Sequence, residues 1–172
     1  MSYSLDLVRL PTDVDPEAAY EKHARETEEK LRRTRGDQGP LDPGKEQRKQ
    51  DLARALVTRH PNLRVARRDF AALATLHDIE ISEAERRFRD IELNDERHSI
   101  QITLFDDAAG VALSPSETVD ECTRAMTLLW DCLEILHSRG GFSAFDPQVG
   151  KLLNLDSDFD LVRATVCGPA GG

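Results

Sequence analysis

Residues 88–141 read FRDIELNDERHSIQITLFDDAAGVALSPSETVDECTRAMTLLWDCLEILHSRGG. Three short runs rich in strand formers, Phe88–Leu93, His98–Phe105 and Gly110–Leu113, are separated by Asn94–Arg97 and Asp106–Ala109, both dense in turn residues. The pattern predicts a three-strand antiparallel meander. In its middle strand Ile100, Ile102 and Leu104 alternate with Ser99, Gln101 and Thr103, so one face is buried and something apolar must cover it. The cover follows at once. Ser114, Pro115 and Glu117 supply a cap, a first-turn proline and a capping acid. Val119, Cys122, Met126, Leu129, Trp130, Leu133 and Leu136 then recur at steps of three and four. A helix over Pro115–Ser138, stopped by Arg139 and Gly140-Gly141, is expected to lie across the meander.

Working outward toward the N-terminus, Tyr3–Leu10 alternates apolar residues with Ser4, Asp6 and Arg9, which predicts a half-buried strand ended by Pro11. Asp15 before Pro16 opens a helical pattern running to Arg35, with Gly36 placed to stop it. Only Tyr20, Ala24, Thr27 and Leu31 keep helical spacing there, so most of that helix must be wet. Gly36–Gly44 reads as a hinge, and a second helix starts near Pro43 and closes before Pro61, its first two turns solvated. Leu63 and Val65 suggest a short extended piece. Asp69–His77 suggests a short helix with Phe70, Leu73 and Leu76 inward, and Ser82-Glu83-Ala84-Glu85 has capping-box spacing. Beyond the long helix, Phe142–Phe145 is expected as an edge or return strand, Lys151–Leu155 as another short strand, and Leu161–Val166 as the last ordered segment.

The expected architecture is therefore α+β: an antiparallel sheet of about four to five strands, one long amphipathic helix packed on it, and a helical N-terminal arm. A length of 172 residues fits one domain over 1–172. Within it, 16–60 forms a charged arm with a hinge at 36–44, 61–167 the core, and 168–172 a flexible tail. No apolar run approaches the roughly 18 to 20 residues of a membrane span. Three cysteines, Cys122, Cys132 and Cys167, are too few for a disulfide framework, which makes a soluble cytoplasmic protein the expectation. Cys122 reads as core and Cys132 as a flank position.

Charge carries the functional hint. The net charge is -9, which argues against a general binder of nucleic acid or anionic membrane. Residues 1–103 hold 21 acids and 19 bases, whereas 104–172 hold 11 acids and 4 bases, so the C-terminal part carries most of the excess. Asp106, Asp107, Asp156, Asp158 and Asp160 are the candidate partner-binding residues, an acidic surface that would steer a basic protein partner into contact.

Other chemistries find little support. Gly150-Lys151 lacks the flanking residues of a phosphate loop, with Phe145 and Leu152 in the required places. No dinucleotide fingerprint follows a strand, and no serine sits in a nucleophile elbow. Asp156, Asp158 and Asp160 alternate as in a calcium loop, but Leu161 replaces the required glycine. His23, His60, His77, His98 and His137 are scattered singly, and His77-Asp78 reads as a helix end. No cofactor, metal ligand or catalytic residue is expected. The first reading is thus a non-enzymatic binding protein. The alternatives are a metal-dependent hydrolase using clustered aspartates, or a homodimeric scaffold.

Ser2-Tyr3-Ser4-Leu5-Asp6-Leu7, Ile91-Glu92-Leu93 with Ile100-Gln101-Ile102-Thr103-Leu104-Phe105-Asp106-Asp107, and the turn Phe145-Asp146-Pro147-Gln148 together carry a resemblance. The chain resembles a group of uncharacterised bacterial α+β proteins with an S-Y-D-L-like opening strand and a C-terminal Y-D-P-Q-x-G turn, from which Ser4 and Phe145 depart. The resemblance implies an α+β, cytosolic, bacterial protein and brings no reaction with it. By analogy with other small acidic proteins, it suggests an immunity-like or accessory role.

Overall fold

The computed structural model describes residues 2–34 and 37–168. It is α+β, with six helices and a seven-stranded, wholly antiparallel sheet among those residues. The strands are β1 (Tyr3–Val8), β2 (Arg64–Val65), β3 (Ile91–Asp95), β4 (Ile100–Leu104), β5 (Ala108–Leu113), β6 (Ser143–Asp146) and β7 (Lys151–Leu152). Their order is β2-β3-β4-β5-β1-β6-β7. The helices are α1 (Pro16–Thr34), α2 (Pro43–Arg59), α3 (Phe70–His77), α4 (Ile81–Arg87), α5 (Val119–Gly140) and α6 (Phe159–Cys167).

The meander exists as β3-β4-β5, and two differences enlarge it into the full sheet. β1 pairs with β5 along six residues, Tyr3 opposite Leu113 through Val8 opposite Ala108. On its other side β1 pairs with β6, which in turn pairs with β7, so the Phe142–Phe145 segment is interior and not an edge. The expected four to five strands are seven because β2 and β7, two residues each, are too short to leave a periodic signal.

Alternation decides which face is dry. Tyr3, Leu5 and Leu7 of β1, Ile100, Ile102 and Leu104 of β4, and Val111 and Leu113 of β5 all point to one side and join a single core. That side is roofed by α5, which buries Cys122, Ala125, Met126, Leu129, Trp130, Cys132, Leu133 and Leu136, and by α2, through Leu52 and Leu56. The expected single packed helix is thus a layer. Cys132 is fully buried, not a flank residue, and burial, with Asp131 and Asp95 nearby, pushes its thiol up to about 12, which makes it unreactive.

Helix ends refine the sequence reading. α5 begins four residues later than the proline signal suggests: Thr118 is the cap, its Oγ1 accepting the Glu121 backbone N–H, while the Glu121 carboxylate accepts from Ser116 and Thr118 hydroxyls. Its other end is Gly141 in the left-handed conformation, φ 69°, which satisfies the last carbonyls and turns Phe142 back into the core. Arg9 locks this corner, donating to the Gly140 carbonyl at 2.7 Å with its guanidinium 4.2 Å from the Phe142 ring centre. α4 starts at Ile81 after Glu80 with no side-chain cap, so the Ser82–Glu85 box does not form. Leu76 lies 77% exposed and not inward, because α3 is apolar nearly all round and its periodicity carries no facing information.

Cys122 and Cys167 form a disulfide that ties the last turn of α6 to the first turn of α5. Three cysteines read as too few for a disulfide framework, and the single bond that forms leaves Cys132 free. Trp130 strengthens the same junction, its Nε1 donating to the Leu155 carbonyl at 2.9 Å and its ring meeting Phe159 edge-on. Among the described residues no helix is long and apolar enough to cross a membrane. The expected helix end at Arg35-Gly36 and most of the 168–172 tail lie outside the described residues.

Candidate functional site

The opposite face of the sheet presents Ser4, Asp6 and Val8 from β1, Ala108, Gly110 and Ala112 from β5, and Phe145 from β6. Small side chains on β5 leave this surface low. α1 crosses above it and buries none of its residues. Near one end of α1, the Tyr20 ring stacks on Phe145 with centroids 3.8 Å apart. Just past its other end, Asp37 is gripped by Arg86 through two 2.7 Å hydrogen bonds, and the Gly39 carbonyl accepts from Arg86 and Arg89. The segment read as a hinge is therefore pinned over 37–40.

Held near both ends, α1 stands off the sheet between them. A cleft of about 1040 Å³ runs beneath it, at the upper end of the usual range for a ligand site. Its apolar lining comes from Val8, Ala24, Leu31, Phe88, Phe105 and Ala109, and its charged lining is mostly acidic: Asp6, Glu26, Glu28, Asp37, Asp90, Asp106 and Asp107 against Lys30 and Arg87. Leu31 belongs to the thin apolar stripe of α1 and lines the cleft, yet it remains 53% exposed. The helix offers its apolar stripe without closing it.

The five candidate aspartates fall in two places. Asp106 and Asp107 form the β4–β5 turn and line the cleft. Asp156, Asp158 and Asp160 follow β7, and β1, β6 and β7 stand between them and the hairpin in the sheet. At about 4.8 Å per strand, that is roughly 14 Å of sheet. The two groups do not make one carboxylate cluster. Among the described residues no set of three or more His, Cys, Asp or Glu side chains could hold a metal ion.

Two of the five are occupied structurally. Asp106, its side chain 10% exposed, accepts from Lys49 at 3.0 Å and from Arg89 at 2.6 Å, both side chains almost wholly buried. Burial acts to raise its carboxyl, but the hydrogen bonds from Arg89 and Lys49 outweigh it and the net shift is downward. Asp158 accepts the Asn154 backbone N–H and the Lys151 ammonium, and is held below the usual carboxylate range by that backbone bond first. Asp107 pairs with Lys45 at 2.8 Å in the open, and Asp156 and Asp160 are exposed. The other buried acids are also structural. Asp146 accepts from the Tyr3 hydroxyl at 2.6 Å, and Asp95 closes the β3–β4 turn through the Arg97 and His98 backbone N–H groups.

Sequence reasoning missed Asp6, Tyr20, Gly110 and Phe145 as parts of a site. The signal at Gly110 was legible, since a glycine inside a strand marks a place where something approaches closely. Asp6 showed only as the polar half of an alternation. The chain matches no family model, and neither the curated proteins nor the solved structures contain a match to it.

Proposed function

We propose that this chain is a non-enzymatic binding protein that engages a basic protein partner, in an immunity-like or accessory role, and that the cleft under α1 is where the contact is made. The observation that supports this reading is the combination of an apolar floor with a predominantly acidic lining. Apolar area supplies affinity and the surrounding negative potential supplies steering and choice of partner. Asp107 belongs to this lining, whereas Asp156 and Asp160 lie apart from it and add to the negative potential of the molecule as a whole. Asp106 and Asp158 contribute charge but are engaged in holding the fold. A disulfide is the chemistry of an oxidising compartment, so a cytoplasmic location loses the argument drawn from the cysteine count.

The test uses exposed acids only. Asp107→Lys, Asp156→Lys and Asp160→Lys together should leave the thermal midpoint within a few degrees of the parent. They should slow association with the partner recovered from the native host, and flatten the dependence of that rate on salt between 50 and 200 mM. An unchanged association rate and unchanged salt dependence would remove the acidic surface from the reading.

A further inference from the structure

We infer that Asp6 is the seat for positive charge in the cleft, and that the site takes an apolar segment carrying a single lysine or arginine side chain from the basic partner. The inference rests on the binding reading above and specifies which chemistry the cleft selects.

The register puts Asp6 in an unusual setting. It lies opposite Gly110 on one neighbouring strand and Phe145 on the other, so all three share the face under α1. Gly110 contributes no side chain, and a Cβ built there would meet nothing within 4 Å. The floor beside the carboxylate is therefore open. On the other side the stacked Phe145 and Tyr20 rings form an aromatic wall. A carboxylate flanked by an open floor and by aromatic rings is well suited to a cation on an aliphatic stem, which gains from both the charge and the rings.

The contrast with its neighbours is what singles Asp6 out. Among the described residues, every other aspartate of the cleft has a basic partner: Asp37 with Arg86, Asp90 with Arg68, Asp106 with Lys49 and Arg89, Asp107 with Lys45. Asp6 has no side-chain hydrogen bond and no ion pair among those residues, although loss of solvent around it raises its carboxyl above the ordinary value. An anion would be repelled from it. A purely apolar occupant would strip its remaining water and give nothing in exchange. A cation recovers that cost best, because an ion pair with the carboxylate is stronger than a hydrogen bond from a neutral donor.

The probes are decylammonium, decanol and decanoate, which share one apolar chain and differ in head group, followed by titration calorimetry and by backbone amide shifts. Decylammonium should move the amides of Ala24, Leu31 and Gly110 and bind about tenfold or more tightly than decanol, the scale of one charge-assisted contact, with decanoate weakest. Asp6→Asn should bring decylammonium down to decanol and leave decanol unchanged. Gly110→Val, which fills the floor on a strand that tolerates a branched side chain, should abolish binding of both while circular dichroism and the thermal midpoint stay near those of the parent.

Equal binding of decylammonium and decanol to the parent, or an Asp6→Asn protein that still prefers the cation, overturns the assignment of Asp6 and leaves the acidic-surface reading standing. No binding of either probe, or amide shifts confined to other faces, overturns the cleft itself. A dimer in solution that Gly110→Val dissociates would show a second copy of this chain to be the occupant, and would overturn the inference as well.

Discussion

Asp106→Asn is expected to cost about 3 kcal/mol of stability. The substitution keeps the side chain's shape and removes its charge. Lys49 and Arg89, with side chains 1% and 5% exposed, then lose the carboxylate they share. Breaking a buried pair by removing one partner costs about 3 to 5 kcal/mol, because an uncompensated charge is left inside. The lower end applies because both cations keep other partners. Lys49 still has Glu46 at 2.7 Å, and Arg89 still donates to the carbonyls of Gln38, Gly39, Pro40 and Arg86. Urea unfolding followed by Trp130, the only tryptophan, should show a midpoint lower by roughly 1.5 M for a slope near 2 kcal/mol per M. Lys49→Met should be costly in the parent and nearly free in the Asp106→Asn background. A loss under about 1 kcal/mol, or a Lys49→Met cost that is the same in both backgrounds, would refute the view of Asp106 as the hub that joins α2, the β4–β5 turn and the 37–40 segment. Reversing all five candidate aspartates at once would confound the binding test, since Asp106 and Asp158 would report on folding and not on binding.

Reduction of Cys122–Cys167, or Cys167→Ala, should destabilise the chain by about 4 kcal/mol from the entropy released to the unfolded state, for a sequence separation of 45; parallel urea curves with and without reductant measure it. Gly140→Ala should lower the thermal midpoint although alanine favours helices, because its Cβ would lie 2.7 Å from Phe142 Cδ2 and 3.1 Å from Leu52 Cδ2. Overpacking of this kind costs about 1 to 3 kcal/mol against a helix gain of at most about 1. Asp37, Asp106 and Asp158 have carboxyls depressed in the folded state: Asp37 by hydrogen bonds from Arg86, Asp106 by Arg89 and Lys49 against opposing burial, and Asp158 by the Asn154 N–H and then Lys151. Groups depressed on folding stabilise above their unfolded value, near pH 4, and lose that contribution as pH falls through the folded one. The thermal midpoint should therefore be flat with respect to these groups from pH 7 to about 5 and fall steeply below pH 4; a midpoint unchanged at pH 2.5 would contradict it.

How much of this was readable beforehand depends on whether a feature is local. The alternation of Ile100, Ile102 and Leu104 and the stripe from Val119 to Leu136 are properties of neighbours in sequence, and both appear as expected. The start of α5 was misplaced because Ser114–Glu117 and Thr118–Glu121 offer the same capping spacing, and only the geometry selects the second. Cys122 and Cys167 meet because α6 folds back onto α5, which spacing alone does not reveal. The pairing of Asp106 with Lys49 and Arg89 is likewise a product of three separate elements. The cleft lies furthest from the sequence: α1, β1, β5 and the 105–107 turn each contribute, and the thin stripe of α1, read as an outer arm, is in fact its roof.

The placement of β1 has a consequence for how the molecule assembles. Residues 3–8 become an interior strand whose partners on either flank lie a hundred or more positions downstream. During synthesis this segment must wait, unpaired and apolar on alternate positions, until both neighbours have left the ribosome. Final closure is then slow and non-local, and a chain interrupted before Ser143 would present an open slot beside β1 to any extended strand nearby.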